Sequence, residues 1–316
     1  MNTTIKKSLK IVLPLSFGGF LVWYSLSSIS IPTLVSYFKN ANYWWIGLGL
    51  FFGVLSHLSR AYRWKFMLEP IGYKPKFTNS VLAVLVGYLV NLAIPRAGEV
   101  SRAAVLANYE NVPFEKGFGT IVAERIADLI MMLCIIVITL FVQFDFIYEL
   151  LTKNFNPTKI IMILIGVVIV FYILTQYLKK AKKGIALKIK NFITGLAEGV
   201  TSIFKMKNKW AFIFHTVFIW AMYVAMFWAT IPAIEGLHVP FGGILIGFIA
   251  GGFSIAATNG GIGLYPIAVA GALALFGIPE EPATAFGWIM WTAQTAMIIV
   301  FGGLSFLVLP IYNKNK

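Results

Sequence analysis

The sequence predicts an all-α integral membrane protein with about six to eight transmembrane segments. Three observations carry that prediction. Of 316 residues, 59% are hydrophobic and only 12% are charged, against roughly 25% charge in soluble domains. Apolar runs recur from end to end, many near the ~20 residues that cross a hydrocarbon core. No stretch is left for a sizeable soluble domain, so residues 1–316 read as a single polytopic membrane domain. Finally, the basic residues gather between the apolar runs. That distribution accounts for the net charge of +14 by membrane topology, without nucleic acid.

The elements follow in order. The basic N-terminus leads into an apolar run, Ile11 to Ile31, interrupted by Pro14. It is too long for a signal peptide and lacks a small-residue cleavage site, so it reads as a retained first span. A short loop holds Lys39, and Asn42-Tyr43-Trp44-Trp45 reads as an interfacial aromatic belt. The second span runs to about Ser59 and ends at a basic cluster from Arg60 to Lys76. Ser80 to Ile94 is apolar but reaches only about 22 Å as a helix. It breaks at Pro95-Arg96-Ala97-Gly98-Glu99, and a shorter stretch continues to about Asn108.

Gly117 to Val142 is long and carries Glu124, Arg125 and Asp128 in its first part. A loop with Asp145, Glu149 and Lys153 precedes a span from Thr158 to Leu178. A lysine-rich block follows. Within it, residues 185–204 place Ile185, Ile189, Phe192, Leu196, Val200 and Ile203 at helical spacing, the pattern of an amphipathic interfacial helix. Trp210 to Ile231 is a further span. Phe241 to Ala257 and Ile262 to Ile278 are separated by Thr258-Asn259-Gly260-Gly261, and Pro279 to Pro282 reads as a polar turn. Ala283 to Leu309 is the last span.

With the basic N-terminus inside, 20 of the 26 lysines and arginines fall on that side, and Lys39, Lys153 and Lys159 on the other. Both termini are then cytoplasmic, and a multi-pass protein of the cell membrane is expected. Under this assignment the break at Pro95 enters from inside and the break at Asn259-Gly260 from outside. Two broken or re-entrant helix pairs of opposite orientation fit transporters built from inverted repeats. The alternative of tilted full crossings stays open.

Six ionisable residues sit in or near the membrane: Arg96, Glu99, Arg102, Glu124, Arg125 and Asp128. Each costs about 2.5–3.5 kcal/mol at a helix centre, so they must pair inside the protein or line a wet cavity. Glu99 and Arg102 share a helix face, as do Glu124 and Asp128. Two carboxylates so placed call for an arginine between them, supplied by Arg96 or Arg102. The break frees backbone N–H groups at the start of the next helix, and a helix N-terminus beside an arginine suits an anion. Phosphate is the obvious anion among phospholipids. Asn91 and Tyr88 add polar contacts, and Asn259, Gly260 and Gly261 form the second break. The competing reading is a structural ion-pair cluster that only pins helices.

Other chemistry is not indicated. Cys134 is the single cysteine, read as a small buried packing residue, and His57, His215 and His238 lack metal-ligand spacing. No nucleotide, zinc or serine-hydrolase motif occurs, so no catalytic residue, metal or cofactor is expected.

The motifs together resemble a known family. Asn91, Pro95-Arg96-Ala97-Gly98-Glu99 and Arg102, then Glu124-Arg125 and Asp128, then Asn259-Gly260-Gly261-Ile262-Gly263 are similar to the lysylphosphatidylglycerol synthase transmembrane region. This is the flippase-like domain of the multiple peptide resistance factor, which also occurs alone. Arg63-Trp64 fits as well. The resemblance implies a lipid transporter that moves a phosphate-containing lipid or lipid-linked headgroup between leaflets. Arg96, Arg102 and Arg125 would contact phosphate, and the carboxylates would hold those arginines. The cargo implied is a phospholipid, an aminoacyl lipid or a polyprenyl-phosphate lipid, and a homo-oligomer stays open. The longer relatives carry a soluble synthase domain; this chain ends at Lys316, so synthase activity is not expected. A membrane enzyme acting on a lipid phosphate, and a non-transporting assembly partner of such an enzyme, remain the alternatives.

Overall fold

A computed structural model describes Ser16 and residues 18–154, 157–180, 183–187, 190, 194 and 206–314. Among the described residues there are helices and no strands. They are α1 (Gly18–Ser27), α2 (Ile31–Asn40), α3 (Tyr43–Leu68), α4 (Phe77–Ala93), α5 (Ala97–Glu110), α6 (Phe114–Val142), α7 (Phe144–Asn154), α8 (Pro157–Lys180), α9 (Lys209–Thr230), α10 (Phe241–Ala257), α11 (Leu264–Ala274) and α12 (Glu280–Tyr312). Three of them, α6, α9 and α12, are long and apolar enough to cross a membrane, and α1 with α2 makes a fourth if the bent pair is one span. Helices α4, α10 and α11 are apolar but shorter.

Several boundaries move relative to the sequence expectation. The first span is not straight: α1 and α2 meet at 83°. Ser30 caps α2, its hydroxyl accepting from the Thr33 N–H at 3.2 Å, and Pro32 sits where a missing N–H costs nothing. Lys39 therefore lies in a helix rather than a loop, and so do Asp145, Glu149 and Lys153, which belong to α7. The expected turn at Glu280 and Glu281 is the first turn of α12. Cys134 is exposed on α6, not buried. Most of the amphipathic segment at 185–204 lies outside the described residues.

The largest change is in α3. Its 26 residues continue without a break through Arg60, Arg63 and Lys65 to Leu68, a length of about 39 Å. Asn42 caps its start by accepting from the Trp44 N–H, and Tyr43 and Trp44 are exposed there. Residues read as the start of a cytoplasmic loop are thus helical, and Arg60, Arg63 and Trp64 are buried.

Two compact units emerge. One comprises residues 1–124 and 210–316, the other Arg125–Lys209. Along the chain the element order long, short, short, long occurs twice: α3 to α6 have 26, 17, 14 and 29 residues, and α9 to α12 have 22, 17, 11 and 33. The short pairs α4–α5 and α10–α11 each pack as hairpins. Helix α12 runs against both: a Cβ at Gly287 would stand 2.6 Å from Pro266 of α11, and one at Gly302 would stand 2.7 Å from Leu89 of α4. A buried core of Phe227, Tyr265, Val269, Leu273, Phe286 and Ile289 joins α9, α11 and α12. Phe227 and Phe286 meet edge to face at 5.1 Å. At the far end of α12, Asn313 and Asn79 exchange amide hydrogen bonds at 2.9 Å each, and Asn79 also donates to Glu110.

In the second unit, α7 packs against α8. Phe144 stacks on Tyr148 within α7, and Thr139 donates to the Ile135 carbonyl at 2.7 Å on α6.

Candidate functional site

The first break follows from its residues. Proline disfavours helical geometry in the residue before it, and Ile94 is extended, with φ −131° and ψ 112°. Arg96 then turns the chain with φ 62°, a left-handed conformation that a branched or bulky residue rarely adopts. Helix α5 starts at Ala97. The φ of Gly98 is not positive. Gly98 is there for space: a Cβ would stand 2.6 Å from the Asn91 side chain and collide with the Gly87 carbonyl. Two glycines thus let α4 and α5 touch along their backbones.

The first two N–H groups of α5 already have partners within the protein. Asn91 reaches across the break and accepts from the Gly98 N–H at 2.7 Å, and the Ala97 N–H donates to Ile94. Asn91 also donates to Glu99, at 3.5 Å. These contacts satisfy the break from within, and Arg96 is exposed beside it.

The charges converge elsewhere. Arg102 of α5 grips Glu124 of α6 with both ends of its guanidinium, at 3.1 and 3.2 Å. Arg60 of α3 donates to the same Glu124 Oε1 at 2.5 Å, and Arg63 Nη2 lies 3.4 Å from it. All four are interior, with exposures of 2% for Arg60, 0% for Arg63, 3% for Arg102 and 0% for Glu124. Three guanidiniums therefore meet on one carboxylate. Aromatic faces help to hold them: Arg102 lies 4.4 Å from the Trp64 ring centre and Arg63 5.4 Å from that of Phe212. Trp64 is fixed in turn by donating to Thr120 at 2.8 Å, and Arg63 donates to Thr216 at 3.0 Å. Three helices and α9 thus position the cluster.

Of the residues expected from sequence, the structure unites Arg102 with Glu124, and Asn91 with Gly98 and Glu99. Of the arginine expected between Glu124 and Asp128, from Arg96 or Arg102, the structure shows Arg102 on Glu124. Arg125 pairs with Asp128 along α6 at 3.4 Å, with the Arg125 side chain 42% exposed and Asp128 buried. Arg60 and Arg63 were missed as site residues. Their signal was Arg63-Trp64, a basic-aromatic pair three residues after Arg60, on a helix that the sequence reading ended too early.

The second break lies against the first. Asn259 donates from its amide to the Leu92 carbonyl at 2.7 Å, and Trp291 holds the Gly260 carbonyl at 2.8 Å. Gly260, Gly261 and Gly263 all have positive φ. At Gly263 a side chain would also collide with α1, 2.5 Å from the Val22 nitrogen. Among the described residues no group of histidine, cysteine and acidic side chains has the arrangement of a metal site.

A helical membrane protein with interrupted helices and a buried arginine–carboxylate centre is the class this fold and site define. Residues 11–302 match the family model of the lysylphosphatidylglycerol synthase TM region, and the chain belongs to that family. A curated relative, the UPF0104 membrane protein MJ1595 of Methanocaldococcus jannaschii, is 31% identical over 176 residues, covering 52% of this chain and 52% of its own. The glycosyltransferase AglD of Haloferax volcanii is 33% identical over 78 residues, covering 24% of this chain but 12% of its own. The chain therefore aligns with about half of the first relative and a small part of the second. No solved structure matches it.

Proposed function

We propose that the protein moves a lipid between the leaflets of the cell membrane by binding the lipid's phosphate at Arg60, Arg63 and Arg102. The convergence of these three buried side chains on Glu124 carries the reading. Guanidinium forks suit phosphate oxygens as they suit carboxylates, so a phosphate can exchange with Glu124 for the same donors. Glu124 then holds the arginines together when no lipid is bound and takes them back when the lipid leaves. The site is the kind of intramembrane ionisable cluster that marks a transport path. The two breaks joined by Asn259 and Leu92 supply the interrupted helices typical of such paths, and the twice-repeated helix order supports an inverted repeat. Membership of the lysylphosphatidylglycerol synthase TM region family, named for a lipid, agrees with this reading. On this reading the chain is a transporter rather than an enzyme. Arg96 and Arg125, both exposed, are secondary to Arg60 and Arg63.

The test is a leaflet-specific assay in proteoliposomes with labelled phosphatidylglycerol, aminoacylated phosphatidylglycerol and polyprenyl-phosphate lipids. Wild-type protein translocates at least one of them, and Arg102→Gln and Glu124→Gln abolish it. Unchanged translocation in both folded variants rules out the mechanism.

A further inference from the structure

One turn of α3 before Arg60, His57 is buried at 7% exposure, and neither ring nitrogen has a hydrogen-bond partner among the described residues. Its ring lies 4.5 Å from that of Tyr88 on α4 and 6.2 Å from that of Tyr223 on α9. Trp220, one turn from Tyr223 and 6.2 Å from it ring to ring, is 9% exposed, and its indole N–H is likewise unpartnered. Buried polar atoms without partners are rare, and here two such side chains share one aromatic neighbour, Tyr223. The Tyr88 and Tyr223 hydroxyls lie 3.2 Å apart, and both residues are half-buried.

We infer that His57, Tyr88, Tyr223 and Trp220 form a subsite for a hydroxyl-rich headgroup, such as a sugar, attached to the phosphate held at Arg60. The inference rests on the phosphate reading above and names the class of lipid it carries. The unmet atoms set the chemistry. The indole nitrogen only donates, while a neutral imidazole has one donor and one acceptor. An ammonium group only donates, so it cannot receive the indole N–H. A phosphate oxygen only accepts, so it leaves the imidazole acceptor unmet. A hydroxyl donates and accepts and answers both. The aromatic faces of Tyr88, Tyr223 and Trp220 suit a sugar's C–H surface. Helical spacing places the histidine and Arg60 on the same face of α3, so one ligand spans both. The tyrosine pair, lying nearer the surface, meets the headgroup first.

The experiment uses the full chain in lipid nanodiscs and measures binding by native mass spectrometry. The probes are a ten-carbon isoprenyl phosphate, the same lipid with glucose esterified to its phosphate, and lysylphosphatidylglycerol against phosphatidylglycerol. The glucosyl lipid is expected to bind about tenfold more tightly than the bare phosphate, the worth of one or two well-made hydrogen bonds. Lysylation is expected to bring no gain. Trp220→Phe and His57→Phe, which keep ring bulk, bring the glucosyl preference close to one. Equal binding of the two isoprenyl lipids, lost in Arg102→Gln, overturns the subsite and leaves the phosphate reading standing; the aromatic group then holds water only. A preference for the lysylated lipid also overturns it. If no phosphate lipid binds at all, the phosphate reading fails and the subsite with it.

Discussion

Asn259 donates its side-chain amide to the backbone carbonyl of Leu92 at 2.7 Å, across 167 residues of sequence, and so ties the two helix breaks to each other. Leu92 lies in the last turn of α4, just before Pro95, and Asn259 begins the glycine-rich turn. The bond closes an acceptor that a helix end leaves open. A second contact reinforces it, because a Cβ at Gly260 would stand 3.0 Å from the Leu92 side chain.

Replacing that donor tests the tie. Asn259→Ala is expected to lower stability by about 1–2 kcal/mol, the range for a lost, partly buried hydrogen bond. It is also expected to reduce lipid translocation in the proteoliposome assay by more than the loss of folded protein explains. Thermal unfolding in detergent beside the transport rate separates the two effects. Normal transport in the folded variant would show that the junction is only a packing contact.

Gly98→Ala must push Asn91 and the Gly87 carbonyl apart. Overpacking of this kind costs about 1–3 kcal/mol, and the backbone contact places this site at the upper end. Gly119 on α6 is the control: a Cβ there meets nothing within 4 Å. Gly119→Ala is expected to be neutral or to stabilise by up to about 1 kcal/mol through helix propensity. Thermal unfolding of the two variants side by side checks the contrast.

Arg96 holds φ 62° and is exposed. Arg96→Gly removes the left-handed strain, worth about 1 kcal/mol, so the variant is expected to fold at least as well as wild type. Its affinity for an isoprenyl phosphate is expected to stay within about twofold of wild type, while Arg102→Gln loses about tenfold or more. Equal losses in the two variants would return Arg96 to the binding site.

The Asn79–Asn313 pair joins the start of α4 to the end of α12. Asn79→Ala leaves the buried Asn313 amide short of its partner, at a cost of about 1–3 kcal/mol. Unfolding temperature falls, whereas lipid selectivity, which the pair does not touch, is expected to hold.

The sequence reveals the helical class, both breaks and the need for an arginine at Glu124, though not which one, because charge and proline in an apolar chain carry a cost that demands an explanation. Arg60 and Arg63 stayed hidden for a physical reason. A basic residue at the end of an apolar run reads equally well as a topology signal, and only continuation of α3 to Leu68 turns both side chains inward. The backbone roles were not legible either. Proline and glycine mark a break without saying which residue takes the positive φ or which glycine is needed for space, and those fell to Arg96 and Gly98. The bend between α1 and α2 was invisible because Ser28 and Ser30, on either side of Ile29, are small and mildly polar, and a straight span also tolerates such serines.

The most direct test of the arginine centre is bound-lipid mass spectrometry of protein purified gently from its own membrane. Wild-type protein is expected to retain a phosphate-containing lipid at about one per chain, since a buried multi-arginine site releases a charged headgroup slowly. Arg102→Gln, confirmed as folded by its unfolding transition, is expected to lose that lipid while keeping the loosely held annular phospholipids. The same lipid retained in the same amount by the folded variant would contradict the assignment of Arg60, Arg63 and Arg102 as the phosphate site.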